Sequence, residues 1–542
     1  MVLGVSGRSS RPPHIPGKGP FVINDIATAV NNAATVINDL VWSNGLIALC
    51  LLAGLYFSLR LRFVQVRLLG DMVRQVVKGD SSAEGVSSFQ ALAMSLAGRV
   101  GTGNIAGVAT AIAFGGPGAV FWMWTVAFLG ASTSFIECAL GQVYKERDEQ
   151  SGSYRGGPAY YIEKAMGQKW YAMLFAGVTV IAMGFLLPGV QANGITSAMD
   201  SAWGLDPKIT ALGIIIALAF IVVGGVKRIA TFASLVVPFM AIAYIALTAV
   251  VLVVHWDTVP SSIALIFRSA FGFDATFGAV LGLAVQWGVR RGIYSNEAGQ
   301  GTGPHAAAAA EVSHPAKQGL VQAMAVYIDT LFICSATAFM ILSTDMYRTY
   351  DNGSTSGNVI YLGEPQVADV TIGPAFTQQA LDTVHSGWGG PFVAIALLFF
   401  AFTTIVAYYY MAETNLFYVM RNSSVKARGI VVRILQLALL LTVAYGSLTE
   451  AEAAWTFGDI GVGLMAWLNI IAILILQKPA IKVLKDYETQ RKQGIDPQFD
   501  PRPLGIRNAQ FWEERADGRL AAAGTGSRPV PGAGSSEEPP TA

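Results

Sequence analysis

The chain has 542 residues, of which 53% are hydrophobic and only 13% charged, and its mean hydropathy is +0.49. A soluble domain carries about 25% charged residues, so this composition argues against an ordinary soluble protein and predicts a polytopic membrane protein. The net charge of +1 gives no basis for nucleic-acid binding, and three separated cysteines and five scattered histidines predict no disulfide, resident metal or cofactor.

Long apolar runs follow one another along the chain, and each approaches the ~20 residues that span a bilayer. They predict an all-α protein with spans near residues 41–59, 88–115, 118–143, 169–192, 209–225, 229–254, 273–293, 318–343, 388–414, 429–447 and 452–477. Residues 1–20 are predicted to be disordered and to lack the apolar core of a signal peptide. Residues 21–87 hold an amphipathic segment, the first span and a loop. Residues 478–542 form a predicted tail, disordered after Pro497.

The lysines and arginines orient these spans. Most of the 36 basic residues lie on alternate connections, beginning with RLRFVQVRLLGDMVRQVVK. The other side of the membrane holds only Arg8, Arg11, Lys18, Lys208, Arg268 and Arg348. Because short cytoplasmic loops carry the excess of Lys and Arg, the N-terminus is predicted to lie outside and the C-terminus in the cytoplasm, with the protein in the plasma membrane.

The spans after the first divide into two sets of five, residues 88–254 and 273–477, joined by an external loop at 255–272. Each set opens on a glycine-rich span: AGRVGTGNIAG in the first and GAVLGLAVQWGVRRG in the second. Because five is odd, the two sets have opposite orientations in the membrane. Interrupted helices at matching positions of two inverted halves indicate the binding site of a secondary transporter.

The segment from Val100 to Asn104 is chemically unusual for a membrane span. Glycine costs roughly 1 kcal/mol per helical position relative to alanine, and irregular backbone persists in a bilayer only where something else pairs with it. A helix broken here offers N–H groups to a carboxylate and carbonyls to a cation, and Gly101 and Gly103 allow close approach. A dinucleotide loop is an alternative that lacks its βαβ unit. Helix packing through small residues is another, mainly for Gly107.

Three motifs resemble those of one transporter family: GTGNIAGVATAIAFGGPGAVFWMW (101–124), GGPAYYIEKAMG (156–167) and RGIYSNEAGQGTGP (291–304). Through them the chain resembles the alanine or glycine:cation symporter family. The resemblance implies a leucine-transporter-like fold with one added N-terminal helix and discontinuous first and sixth core helices. It also implies Na⁺-coupled uptake of alanine, glycine or both by alternating access. A symporter for another small amino acid or one driven by H⁺ is the alternative, and a passive channel or membrane enzyme fits less well.

The same resemblance implies which residues bind the substrate. The N–H groups of Thr102 and Gly103 would hold its carboxylate, with Gly101 and Asn104 beside them. The second break would bring Gln286, Trp287 and Gly288 to the substrate, and Gln191, near the outer part of the third core helix, is a weaker candidate. Trp287 would wall a small apolar pocket, and the alternative is a tryptophan that only packs or faces the lipid interface.

The resemblance also implies a sodium site. Its ligands would be the carbonyl oxygens of Ala97, Val100 and Phe400 and the hydroxyls of Thr403 and Thr404. On the eighth core helix the spacing i, i+3, i+4 places the last three residues on one face. The alternative for both threonines is a hydroxyl that bonds back to its own helix. Na⁺ is thus expected as a coupling ion, and the sequence is silent on the oligomeric state.

Charged residues within the spans are the remaining candidates. Asp329 lies mid-span, where a carboxylate is a functional candidate by default; it would bind a cation or proton, pair with Arg99, or join two helices by hydrogen bonds. Arg290, Arg291 and Glu297 are predicted at the cytoplasmic end of the sixth core helix, as an inner gate or, for the arginines, as anchors. Three acids nearer span ends are expected to be structural: Glu137, Glu413 and Asp459.

Overall fold

A computed structural model of the protein describes residues 20–77, 86–148, 152–222 and 225–519. The secondary structure is mainly helical, with two small antiparallel sheets. In these sheets β1 (Glu146–Arg147) pairs with β2 (Tyr154–Arg155), and β3 (Arg348–Tyr350) pairs with β4 (Val359–Leu362). The predicted disorder of residues 1–20 lies, except for its last residue, outside the described part of the chain.

In chain order, the helices can be grouped by the predicted halves, which stay a prediction. Before the first half come α1 (Pro20–Val41), α2 (Asn44–Arg60), α3 (Val64–Arg67) and α4 (Leu69–Val77). The first half holds α5 (Ser88–Arg99), a π-helical turn (Gly103–Gly107), α6 (Val108–Gly115), α7 (Gly118–Val143), α8 (Pro158–Met166), α9 (Lys169–Ile181), a π-helical turn (Ala182–Leu186), α10 (Leu187–Trp203), α11 (Pro207–Val222) and α12 (Gly225–Val254). The rest of the chain holds α13 (Val259–Ala270), a 3₁₀ turn (Gly278–Val280), α14 (Leu281–Asn296), α15 (Gly303–Ala309), α16 (Pro315–Tyr327), a π-helical segment (Ile328–Cys334), α17 (Ser335–Ser343), a 3₁₀ turn (Pro365–Val367), α18 (Pro374–Asp382), α19 (Gly389–Val419), α20 (Val425–Leu448), α21 (Ala451–Lys492) and α22 (Gln510–Ala516).

The predicted spans coincide with helices of unequal length. Within the described residues, eight helices are long and apolar enough to cross a membrane. The windows 88–115, 209–225 and 273–293 hold helices that are shorter or interrupted. The chain is therefore a multi-pass membrane protein, and the count of eleven spans stays a prediction.

Burial divides the helices into an inner and an outer set. Helix α7 is buried along most of its length and contacts α14, α15 and α16. Helices α12 and α20 instead expose large apolar side chains such as Leu235 (75%), Phe239 (73%) and Leu441 (62%). A helix face this apolar is stable against lipid and not against water. Helices with buried polar residues, such as α7, therefore occupy the interior.

Two interruptions lie among the inner helices. Helix α5 ends at Arg99, Val100 has an extended backbone (φ −80°, ψ 92°), and the chain becomes helical again at Gly103. Helix α14 ends at Asn296, where Glu297 takes a left-handed conformation (φ 57°) that side chains rarely adopt. The first interruption lies where the sequence predicts it.

The second interruption is not where the sequence predicts it. Helix α14 continues through residues 286–288, and the break comes at residues 297–302. Gly288 is a packing residue, since a Cβ there would lie 2.5 Å from the carbonyl oxygen of Ala119 on α7. Gly299, at φ 85°, is one of the glycines that turn the chain. The prediction mistook a packing glycine for a break.

The C-terminal segment packs against the helices, contrary to the predicted disorder after Pro497. Trp512 on α22 is fully buried, and its ring N–H donates to the carbonyl oxygen of Gln142 (2.9 Å). The ammonium of Lys145 lies 4.4 Å from the ring centroid of Phe511. Aromatic side chains give residues 498–519 the apolar area that folding requires, which a Pro/Gly/Ser-rich tail lacks.

Trp512→Ala is expected to destabilise the protein by about 3–5 kcal/mol, because it removes a buried ring and leaves a cavity. The measurement is the melting temperature of the purified protein in detergent. Trp170→Ala is the matched control, since Trp170 is 67% exposed. Equal melting temperatures for the two variants would contradict the packing of the C-terminal segment.

Candidate substrate and cation site

Side chains from other helices satisfy the backbone at the first interruption. The Gly101 N–H donates to Asn104 Oδ1 (2.8 Å), and the Thr102 N–H donates to Oε1 of Gln191 on α10 (2.9 Å). The carbonyl oxygen of Asn104 accepts a hydrogen bond from the Thr337 hydroxyl (2.7 Å). The family resemblance assigned the substrate carboxylate to the Thr102 N–H group, and the amide oxygen of Gln191 lies there instead. This position can therefore bind an oxygen ligand.

Oxygen atoms of two helices converge just before the interruption. The Thr404 hydroxyl on α19 lies 2.8 Å from the carbonyl oxygen of Ala97, 3.2 Å from that of Val100 and 2.9 Å from that of Phe400. A hydroxyl has one hydrogen and can satisfy one of these acceptors well. The remaining lone pairs form an electron-rich cluster of oxygen atoms, and neutral oxygen ligands suit a hard cation. The Thr403 hydroxyl donates to Phe400 of its own helix (2.9 Å), as the alternative interpretation expects.

Asp329 joins three elements in a buried hydrogen-bond network. It lies in the π-helical segment between α16 and α17, and its Oδ1 accepts from the side-chain amide of Asn104 (2.6 Å). Its Oδ2 accepts from the hydroxyls of Ser295 at the end of α14 and Thr330, both at 2.8 Å. The Asp329 carboxylate thus connects Asn104, beside the first interruption, to Ser295, just before the second.

Two residues that sequence reasoning missed, Tyr294 and Ser295, stand beside the first interruption. A Cβ on Gly103 would lie 3.0 Å from the Tyr294 ring, whose hydroxyl accepts from Gln191 Nε2 (3.4 Å). The Tyr294 ring also stacks at a tilt on Trp455, with 4.9 Å between centroids. Both missed residues belong to the motif RGIYSNEAGQGTGP. The motif by itself does not show which of its residues line the site.

Arg99 pairs with Glu297 and not with Asp329. Its Nε lies 4.0 Å from Glu297 Oε2, and its Nη1 donates to the carbonyl oxygen of Gln322 (3.2 Å). Of the alternatives for Asp329, the pair with Arg99 is therefore wrong, and hydrogen bonds between helices are what the structure shows, from Asn104 and from hydroxyl groups.

Glu137 holds the second interruption. Its carboxylate accepts hydrogen bonds from the N–H groups of Gly299 (3.2 Å) and Gly301 (3.1 Å) and from the side-chain amide of Asn469 (2.7 Å). Asn469 also donates to the carbonyl oxygen of Gly299 (2.9 Å). Glu137 is thus structural, as expected, but it acts on the irregular backbone in the interior and not at a span end.

Glu137→Gln is expected to lower transport about tenfold, because an amide has one acceptor oxygen where the carboxylate has two. The measurement is initial uptake of labelled alanine into proteoliposomes per folded protein. Glu413→Gln is the control, since Glu413 is also buried but contacts Arg155 and Tyr409 instead. Equal losses in the two variants would argue that Glu137 only stabilises the fold.

The structure corrects the predicted position of Arg290 and Arg291. Both precede the second interruption on α14, and both contact Oδ2 of Asp459, at 2.7 and 2.5 Å. They line a cavity with residues 353–355 of the connection that the sequence places outside. They therefore lie within α14, before its last residue Asn296, and not at the end of this helix. The prediction assumed that adjacent arginines end a span, whereas Asp459 partly neutralises them in the interior.

The remaining predicted substrate residues lie away from the first interruption. Trp287 lines the same cavity as Arg290, and its ring centroid is 5.0 Å from that of Phe114. Gly288 packs on α7, and Gln286 directly precedes Trp287 on α14. The structure therefore brings Gln191, but not residues 286–288, to the candidate site.

The sequence is similar to a family model and to several known proteins along most of its length. The sequence model described as the sodium:alanine symporter family matches residues 27–501. The chain is 57% identical over 478 residues to the "Putative sodium/proton-dependent alanine carrier protein YrbD" of Bacillus subtilis strain 168, covering 88% of this chain and 96% of the relative. It is 48% identical to the "Sodium/proton-dependent alanine carrier protein" of Bacillus sp. strain PS3 (82% and 97%) and 34% identical to the "Sodium/alanine symporter AgcS" of Methanococcus maripaludis (86% and 98%).

Proposed function

The chain belongs to the sodium:alanine symporter family, and we propose that it transports alanine into the cell together with Na⁺. The observation that carries the proposal is the Thr404 hydroxyl, which meets the carbonyl oxygens of Ala97, Val100 and Phe400 beside the first interruption. The names of relatives across most of the chain's length support alanine as substrate and leave Na⁺ and H⁺ both possible as the coupling ion.

In this proposal the substrate carboxylate binds the N–H groups of Thr102 and Gly103, where the Gln191 amide now lies. The Tyr294 ring limits the space next to Gly103, so the site favours a hydrogen or methyl side chain, and glycine is a second candidate substrate. The coupling Na⁺ binds the oxygen cluster around Thr404, with Thr403 as a further ligand once its hydroxyl turns from its own helix.

Alternating access requires one gate on each side of the site, and we assign the two buried charged clusters to these gates. Arg290, Arg291 and Asp459 close the external side, and Arg99 with Glu297 closes the cytoplasmic side. The proposal includes eleven spans, two inverted halves of five, and an N-terminus outside with the C-terminus in the cytoplasm of the cell. The presence of an interrupted helix near Thr102 and another after Asn296 supports this arrangement.

Glu297→Gln is expected to change the maximal uptake rate more than the alanine concentration for half-maximal uptake. A gate residue acts on the step that opens the site and not on the bound substrate. Initial rates over a range of alanine concentrations give both quantities. Equal changes in the two would argue against a gate.

The function is tested with purified protein in liposomes. Labelled alanine is offered with an inward Na⁺ gradient, with an inward H⁺ gradient, and with neither. Na⁺-driven accumulation above the external concentration is the expected result, and it separates a symporter from a passive channel. Uptake that follows pH and ignores Na⁺, and that Asp329→Asn abolishes, would replace Na⁺ by H⁺. No accumulation under either gradient would overturn the proposal.

A further inference from the structure

A cavity, separate from the oxygen cluster around Thr404, lies on the side of the molecule predicted to face outward. It has a volume of about 390 Å³ and is bounded by α1, α6, α14, α21 and the connection that follows α17. Trp287, Trp455 and Phe114 line it with aromatic surface. Trp455 stacks on Tyr294, which contacts Gly103, so one aromatic layer separates this cavity from the first interruption.

The inner wall of this cavity is positively charged. Arg290 and Arg291 share one carboxylate oxygen of Asp459, and Arg290 also donates to Asn38 (2.8 Å). Two buried guanidinium groups therefore face a single carboxylate. Within the described residues, Arg290 Nε and both Nε and Nη1 of Arg291 have no hydrogen-bond partner. These donor atoms are enclosed by protein, so what this wall offers a carboxylate is the net positive charge of two guanidinium groups beside the single carboxylate of Asp459.

The outer rim of the cavity is negatively charged. Asp39 at the end of α1 and Glu452 at the start of α21 both line it, and both are exposed. Neither has an ion-pair partner among residues 20–77, 86–148, 152–222 and 225–519. The cavity thus has a positive inner wall and a negative rim. An oriented zwitterion matches this pattern, whereas a simple anion or cation matches only half of it.

We propose that this cavity binds the amino acid zwitterion before it reaches the first interruption. The carboxylate points inward to Arg290 and Arg291, and the ammonium group points outward to Asp39 and Glu452. The volume exceeds what alanine needs, so this outer site accepts a wider range of side chains than the inner one. This inference rests on the proposed function, because it concerns the route by which the same substrate enters.

The first test removes the rim charges. Asp39→Asn combined with Glu452→Gln is expected to raise the alanine concentration for half-maximal uptake about three- to tenfold, the range for two partly exposed ion pairs, with the maximal rate unchanged. Asp257→Asn combined with Glu364→Gln is the matched control, since these acids are also exposed and lie on connections predicted to be external. Equal behaviour of the two double variants would overturn the outer site.

The second test separates the outer site from the inner one by equilibrium binding of labelled alanine to the purified protein. Gly101→Ala, which is expected to block the inner site, should still bind alanine, and adding the two rim substitutions should weaken that binding by the same factor, about three- to tenfold. Loss of all binding in a stable Gly101→Ala protein would overturn the proposal. The proposal would also be overturned if chloride, but not gluconate, displaced bound alanine and the rim substitutions had no effect. The site would then bind an anion alone.

These outcomes are distinguishable from failure of the proposed function. If the protein is not an alanine symporter, the wild type shows no Na⁺-driven accumulation of alanine in liposomes. If only the outer site is wrong, wild-type uptake is normal and the rim substitutions behave as their control does.

Discussion

Substituting Gly101 by alanine is expected to reduce Na⁺-driven alanine uptake about 100-fold or more, the loss that a displacement of about 1 Å in a binding site can cause. A Cβ at this position would lie 2.6 Å from the Thr404 hydroxyl oxygen and 2.7 Å from Gln191 Oε1. Real Cβ atoms essentially never come within 3.0 Å of another heavy atom. The added methyl group therefore displaces both the proposed cation ligand and the side chain at the carboxylate position.

The matched control is Gly107→Ala, the last residue of the π-helical turn that follows the first interruption. A Cβ there would lie 3.7 Å from the nearest atoms, those of Arg291 and Trp455, which is ordinary contact. Uptake into proteoliposomes and the melting temperature in detergent are measured for both variants. If Gly101→Ala transports like Gly107→Ala, the first interruption is not the binding site.

Thr404→Val is expected to raise the Na⁺ concentration needed for half-maximal uptake about 10- to 100-fold. Valine keeps the branched shape and removes the hydroxyl oxygen, and a hydrogen bond or ligand contact to a charged group is worth about 1.5–3 kcal/mol. Thr404→Ser, which restores the oxygen, should recover most of the Na⁺ affinity. Alanine uptake at saturating Na⁺ should be reduced much less than uptake at low Na⁺.

Thr179→Val is the control for loss of a buried threonine hydroxyl. Thr179 is fully buried on α9, and its hydroxyl donates only to Phe175 of its own helix (2.9 Å). This variant should keep the wild-type Na⁺ dependence. An unchanged Na⁺ dependence in Thr404→Val would move the coupling ion elsewhere, and Asp329 would then be the first residue to test.

The protein class and the first interruption could be predicted from local sequence. Long apolar runs with few charges need a bilayer, whatever their neighbours are, because hydropathy is a property of each run by itself. The glycines of Val100–Asn104 carry a backbone cost that a plain lipid-facing span has no reason to accept. Recognition of three motifs then supplied the family, which comparison along residues 27–501 supports.

The second interruption shows where local reasoning fails. Gly288 and Gly299 are both glycines in or near the same apolar span, and the sequence does not distinguish a glycine that packs from one that turns. Only the structure shows the carbonyl oxygen of Ala119 opposite Gly288 and the positive φ of Gly299. The conformation of a glycine depends on what lies against it, and that is set by other helices.

The partners of the buried polar groups were likewise decided by the tertiary structure. By itself the sequence determined that this is a multi-pass membrane protein, that one helix breaks near Thr102, and that charged residues lie within apolar spans. It did not determine that Arg99 meets Glu297 or that Asp459 lies between two arginines, and the grouping of Thr404 with the carbonyl oxygen of Ala97 came from the family resemblance. Hydropathy and backbone cost act over a few residues, whereas a buried polar group is satisfied by whichever distant segment packs against it.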